Sequence, residues 1–191
     1  MNQRLFVALE LPESIREELL SIASGVPGAY WSEEDQLHLT LRFLGDVDGV
    51  RKGNLISQLE RLRVERFDLQ LSTLGFFPLR KTPESLWIGV SKSADLDALQ
   101  TRVDSTATRL GIDRDRRKWA PHVTLARLDG APESRLISFA TDNALFRTSV
   151  FQPTVMTLFS SHRRIWGSEY QREAVFPLRA PTMTAEPSPD H

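Results

Sequence analysis

The segment His38-Leu39-Thr40-Leu41-Arg42 returns further along the chain as His122-Val123-Thr124-Leu125-Ala126. This repeat constrains the fold more than any single element, because each copy is an apolar run flanked by helical segments. It implies two lobes of similar plan, related by a pseudo-twofold, with their sheets facing one another. On a strand, residues i and i+2 share a face. His38 and Thr40 therefore point one way, with Leu39, Leu41 and Phe43 opposite. His122 and Thr124 likewise share a face opposed by Val123 and Leu125. Each strand anchors through aliphatic side chains and presents an imidazole beside a hydroxyl.

Around these copies, strand and helix patterns alternate. Arg4–Leu11 reads as a strand stopped by Pro12, and the helix that follows carries Ile15, Leu19, Leu20 and Ile22 up to Gly25. A strand over Gln36–Leu44 ends at Gly45-Asp46. Helical spacing covers Val50–Leu62, Leu96–Leu110 and Pro132–Phe139. Phe67–Phe77, Ser85–Val90, His122–Leu128, Val150–Phe159 and Tyr170–Phe176 read as strands. The 191 residues make one domain over 1–179, and the proline-rich stretch 180–191 reads as a disordered tail. No run approaches the ~18 apolar residues of a membrane-spanning helix. The opening apolar run is too short for a signal peptide, so the sequence reads as soluble and cytoplasmic, with a monomer as the default expectation.

Two imidazoles across a cleft suit a reaction in which one proton is removed and another delivered, since a histidine of pKa about 6.5 serves either role near neutrality. The Thr40 and Thr124 hydroxyls can hold two non-bridging oxygens of a phosphate. A ribose 2′,3′-cyclic phosphate fits this donor set, with water attacking phosphorus in line and no metal or other cofactor required. The 24 basic and 25 acidic residues leave a net charge of −1, so any nucleic-acid contact is local, at an RNA end or a single cyclic nucleotide. The chain has no cysteine, which excludes a thiolate nucleophile and Cys-ligated metals.

Other chemistries have weaker support. No His-Glu-x-x-His run, serine elbow or glycine-rich phosphate loop is present. His162 is a candidate third metal ligand beside His38 and His122. Arg163 and Arg164 are candidate contacts to RNA phosphates beyond the scissile one, whereas Arg114, Arg116, Arg117 and Lys118 read as a solvated face diluted by Asp113 and Asp115. Strict alternation turns Arg127 away from His122, so it reaches the cleft only where the strand twists or ends. Phe43, Trp31 and Trp119 are candidates to stack a base or to fill the core.

His38-Leu39-Thr40-Leu41-Arg42-Phe43-Leu44-Gly45 and Pro121-His122-Val123-Thr124-Leu125-Ala126-Arg127 resemble the paired motifs of the two-histidine phosphoesterases. The chain is most similar to the RNA 2′,3′-cyclic phosphodiesterase, or 2′-5′ RNA ligase, family. Arg4–Leu9, Leu74–Pro78 and Trp87–Val90 extend the resemblance across roughly residues 3–179. It implies an α+β bilobal fold with antiparallel sheets facing a central cleft and helices outside. It also implies metal-independent hydrolysis of RNA cyclic phosphate ends to 2′-phosphate, with reverse 2′-5′ joining of RNA. By that resemblance His38 protonates the departing 3′ oxygen, His122 activates water, and Thr40 and Thr124 hold the phosphate. The motifs' symmetry does not choose that direction. Where the family reads Ser-x-Leu before Gly and Tyr, Ser161-His162-Arg163-Arg164 is unusually basic. The alternatives are a non-catalytic nucleotide- or RNA-end-binding module, or a phosphodiesterase for a non-RNA ester such as ADP-ribose cyclic phosphate.

Overall fold

A computed structural model describes residues 2–77, 82–114, 118–164 and 167–180. Its elements are β1 (Gln3–Glu10), α1 (Glu13–Ser21), β2 (Ala29–Trp31), a 3₁₀ turn (Glu34–Gln36), β3 (His38–Val47), α2 (Gly49–Leu59), β4 (Leu71–Phe77), β5 (Ser85–Val90), α3 (Ala94–Arg109), β6 (His122–Leu128), α4 (Glu133–Asp142), β7 (Val155–Arg164) and β8 (Gly167–Pro177). They form two antiparallel four-stranded sheets, in the orders β3-β1-β7-β8 and β2-β6-β5-β4. The order β3-β1-β7 corresponds to β6-β5-β4, and β1-α1-β3-α2 to β5-α3-β6-α4. That correspondence is the duplication the repeated segments implied; β8 and β2 are additions at opposite ends of the plan. No described helix is long and apolar enough to cross a membrane.

Local chemistry explains the elements. Leu5–Leu9 is buried throughout because β1 is covered on both faces. Leu5, Val7 and Leu9 face the main core, while Phe6 and Ala8 face Phe159 in a smaller cluster. The helices bury one stripe each: Ile15 and Leu19 in α1, Leu55 and Leu59 in α2, Leu96, Leu99, Val103 and Ala107 in α3, Leu136 and Phe139 in α4. Asp48 caps α2, its carboxylate accepting from the Val50 and Arg51 N–H groups at 3.0 and 2.9 Å.

The structure departs from the sequence pattern in four places. β3 runs through Gly45 to Val47 instead of ending there. The strand foreseen at Phe67 starts at Leu71, with Leu69 making only an isolated bridge to Phe151. β7 is displaced forward from Val150 to Val155 and carries Arg163 and Arg164 within the strand. β2, only three residues long, pairs with β6 after Gly28, whose φ of +77° and close approach to the Asp129 carbonyl leave no room for a Cβ. Pro78, Arg116, Arg117 and the tail beyond residue 180 lie outside the described residues.

Candidate active site

The two lobes meet at a cavity of about 690 Å³ whose walls include His38, Thr40, His122 and Thr124. This volume suits a nucleotide-sized ligand. β3 supplies the first pair and β6 the second.

Each imidazole is held by the carbonyl two residues upstream. His122 Nδ1 lies 2.7 Å from the Ala120 oxygen. A carbonyl only accepts, so Nδ1 carries the hydrogen and Nε2 is the basic nitrogen. The Gln36 carbonyl, two residues upstream of His38, is the corresponding hydrogen-bond partner of the His38 ring. Their surroundings differ. His38 is packed by Phe6 (ring centroids 5.0 Å apart), Phe159 (5.9 Å) and Tyr170, edge-on at 5.2 Å. This desolvation lowers its pKa to about 4; the Gln36 bond and the Glu10 carboxylate act in the opposite direction, and the charge of His122 adds to the lowering. His122 meets Phe77 edge-on at 5.5 Å and Trp87 at 6.0 Å.

A matched irregularity shapes both strands. Opposite β1, the register shifts between Val7 and Ala8, leaving Leu41 as an extra residue. Opposite β5, it shifts between Leu86 and Trp87, leaving Leu125 extra. After each bulge two successive residues face inward, and the next turns to the cavity. Phe43, assigned to the core face by strict alternation, is instead 46% exposed and lines the cavity. Arg127, assigned to the far face, lines it too, with its guanidinium 4.6 Å from the Tyr30 ring centroid. Alternation failed at both positions for one reason: a bulge inverts the faces beyond it.

Arg42 becomes the second inward residue of its bulge and is 4% exposed. It pairs with Asp104 of α3 at 2.7 Å and donates to the Phe43 and Asp113 carbonyls at 2.8 and 2.5 Å. Arg163 and Ser161 face the cavity from β7. Arg164 follows at the strand end, and its side chain lies outside the described residues. His162 points to the opposite face, its Nε2 3.0 Å from Ser160 Oγ, so it does not converge on the site as a metal ligand. Among the described residues no group of three or more His, Asp or Glu side chains is gathered to hold a metal. Trp31 lines the cavity while resting 5.6 Å from Phe139, and Trp119 packs against the core.

Sequence reasoning did not single out Tyr30, Gln36 or Ser168, all cavity-lining. Tyr170 had a signal, as the tyrosine that follows Ser161 and Gly167 where the family reads Ser-x-Leu before Gly and Tyr. Gln36 and Ser168 had none, because their roles depend on contacts between distant segments.

Residues 9–87 match the family model described as LigT like Phosphoesterase. An RNA 2′,3′-cyclic phosphodiesterase from Archaeoglobus fulgidus is 34% identical over 128 residues, covering 65% of this chain and 72% of that protein. One from Escherichia coli is 33% identical over 133 residues, covering 65% and 72%. The crystal structure of E. coli LigT complexed with 3′-AMP aligns with a TM-score of 0.73 and 26% identity, over 93% of this chain and 99% of that one. The cleft between two sheets, the paired His-x-Thr strands and these similarities converge: the chain belongs to the LigT-like phosphoesterases, the family of the RNA 2′,3′-cyclic phosphodiesterases.

Proposed function

We propose that this chain hydrolyses the 2′,3′-cyclic phosphate ends of RNA, or cyclic nucleotides, to 2′-phosphates by paired-histidine acid/base catalysis. The observation that carries it is that His38, Thr40, His122 and Thr124 line one cavity. Water attacks phosphorus opposite the 3′ oxygen, the P–O3′ bond breaks, one imidazole takes the proton of water and the other protonates O3′. The Thr40 and Thr124 hydroxyls donate to the non-bridging oxygens. Phe43 offers a face to a base, and Arg127 and Arg163 offer charge to phosphates further along; Arg164 adjoins Arg163 in sequence. A 5′-hydroxyl in place of water would give a 2′-5′ linkage by the same transfers. All these groups come from one chain, which supports a monomer. RNA ends as substrate are in keeping with a cytoplasmic enzyme, and the 3′-AMP held by E. coli LigT supports a nucleotide ligand.

The resemblance gives the acid role to His38 and the base role to His122. The desolvation of His38 favours the reverse, because a ring neutral at pH 7 accepts a proton more readily than it supplies one. A substrate with sulfur at the 3′ bridging position separates the two, since a thiolate leaves without protonation. The alanine variant of the acid recovers on that substrate, and the variant of the base does not.

The primary test uses an oligonucleotide ending in a 2′,3′-cyclic phosphate, with chelator present. Turnover is expected to persist, and His38→Ala and His122→Ala are each expected to lose about 10²–10⁴-fold in kcat. Unchanged substrate, or activity only after zinc is restored, overturns the proposal.

A further inference from the structure

Three residues, Gln36, Ser168 and Tyr170, close a ring of contacts with the His38 imidazole. The ring N–H donates to the Gln36 carbonyl. The Gln36 side-chain amide donates to the Ser168 carbonyl at 3.0 Å, and its oxygen accepts from the Glu33 N–H at 3.1 Å. The Ser168 side chain hydrogen-bonds the Tyr170 hydroxyl, and the Tyr170 ring stands at 87° to His38. Gln36 thus uses its main-chain oxygen and both ends of its side chain. The turn it closes has three residues, too few for its own backbone bonds to fix its position. His122 has a simpler arrangement: its carbonyl partner belongs to Ala120, whose side chain can make no hydrogen bond.

We propose that Gln36 is a positioning residue for proton transfer at His38. By pinning the 3₁₀ turn to β8, it brings its own carbonyl to the imidazole N–H and keeps the other ring nitrogen basic and directed to the phosphate. The role rests on His38 acting in the proposed hydrolysis and identifies what outside the reacting groups sets its tautomer. The charged and titratable groups facing the ring are Glu10 from β1, His122 from β6 and Tyr170 from β8. Among the described residues facing the ring, the Gln36 carbonyl is the hydrogen-bond acceptor, and it is the group that selects the tautomer.

Two substitutions separate the bonds. Gln36→Met keeps the length and loses both side-chain bonds; Gln36→Glu keeps the acceptor for Glu33 and loses the donor to Ser168. In protein labelled with ¹⁵N at histidine, the free wild type is expected to show a single His38 tautomer, and both variants a mixture. On the cyclic-phosphate oligonucleotide, kcat is expected to fall about 10–100-fold with KM within twofold. The limb of the pH profile belonging to His38 is expected to move. Unchanged His38 signals in both variants, or kcat and KM worsening together, overturns the proposal. Because the ring signals are read without substrate, a wild type that fails to turn over overturns the hydrolysis while the ring signals still decide the tautomer control. If Gln36→Met does not fold, Gln36→Glu decides alone.

Discussion

Burial among Phe6, Phe159 and Tyr170 keeps His38 neutral at pH 7, with its pKa lowered to about 4. The unfolded chain, whose histidines titrate near 6.5, takes up the proton first, so this group makes stability rise with pH between about 4 and 6.5 and adds no slope above. Glu10 and Glu173 act lower on the scale. Burial opposes the lowering at Glu10, but hydrogen bonds from Arg172 and Thr157 outweigh it; the hydrogen bond from Lys52 lowers Glu173. Their stabilisation is present above the usual carboxylate pKa and is lost as pH falls through the depressed values. Acid sensitivity therefore begins with His38. Between pH 7 and 5, His38→Gln is expected to hold a level urea midpoint while the wild type loses about 1–2 kcal/mol, a figure reduced because the ring borders the cavity. Parallel declines count against it. The two histidines and two threonines were legible in the sequence because i, i+2 spacing is a property of any strand. The difference in environment between the rings was not, since the aromatic cage on His38 is assembled from β1, β7 and β8.

At the scale of the element, the decisive features are the bulges at Leu41 and Leu125. An extra backbone residue leaves no mark on a pattern of apolar and polar letters, so Phe43 and Arg127 were placed on the wrong face although both were named as substrate contacts. Both bulges fall at the same offset from their histidine, and knowing one would have supplied the other. Gly75 is a second element-level constraint. It sits opposite Trp87 in the β4–β5 pair, and a Cβ there would lie 2.3 Å from the indole ring. Trp87 in turn stacks on Phe77 at 4.8 Å and borders His122. Gly75→Ala is expected to cost about 1–3 kcal/mol by overpacking and to lower kcat by displacing the indole against His122. Crystallography or Trp fluorescence reads the displacement, and a variant with wild-type stability and rate rules out the close fit.

For the whole molecule, the repeated segments made the two-lobed plan legible, while β2 and the extension of β7 into β8 were outside the repeat and harder to foresee. Arg42 ties the halves together: from β3 it grips Asp104 on α3 and the Asp113 carbonyl beyond that helix. Removing it takes a buried guanidinium from between the partly exposed Asp104 carboxylate and the Asp113 carbonyl. Arg42→Met is expected to destabilise the protein by about 1–3 kcal/mol in urea unfolding. The wild type is expected to unfold in one step, with circular dichroism and Trp fluorescence coincident; two separated steps would show that the lobes are independent.

The main core runs without interruption from Leu5 and Leu19 of one half to Leu125 and Leu136 of the other. Half of this molecule, released by itself, would leave apolar side chains of that shared core facing water.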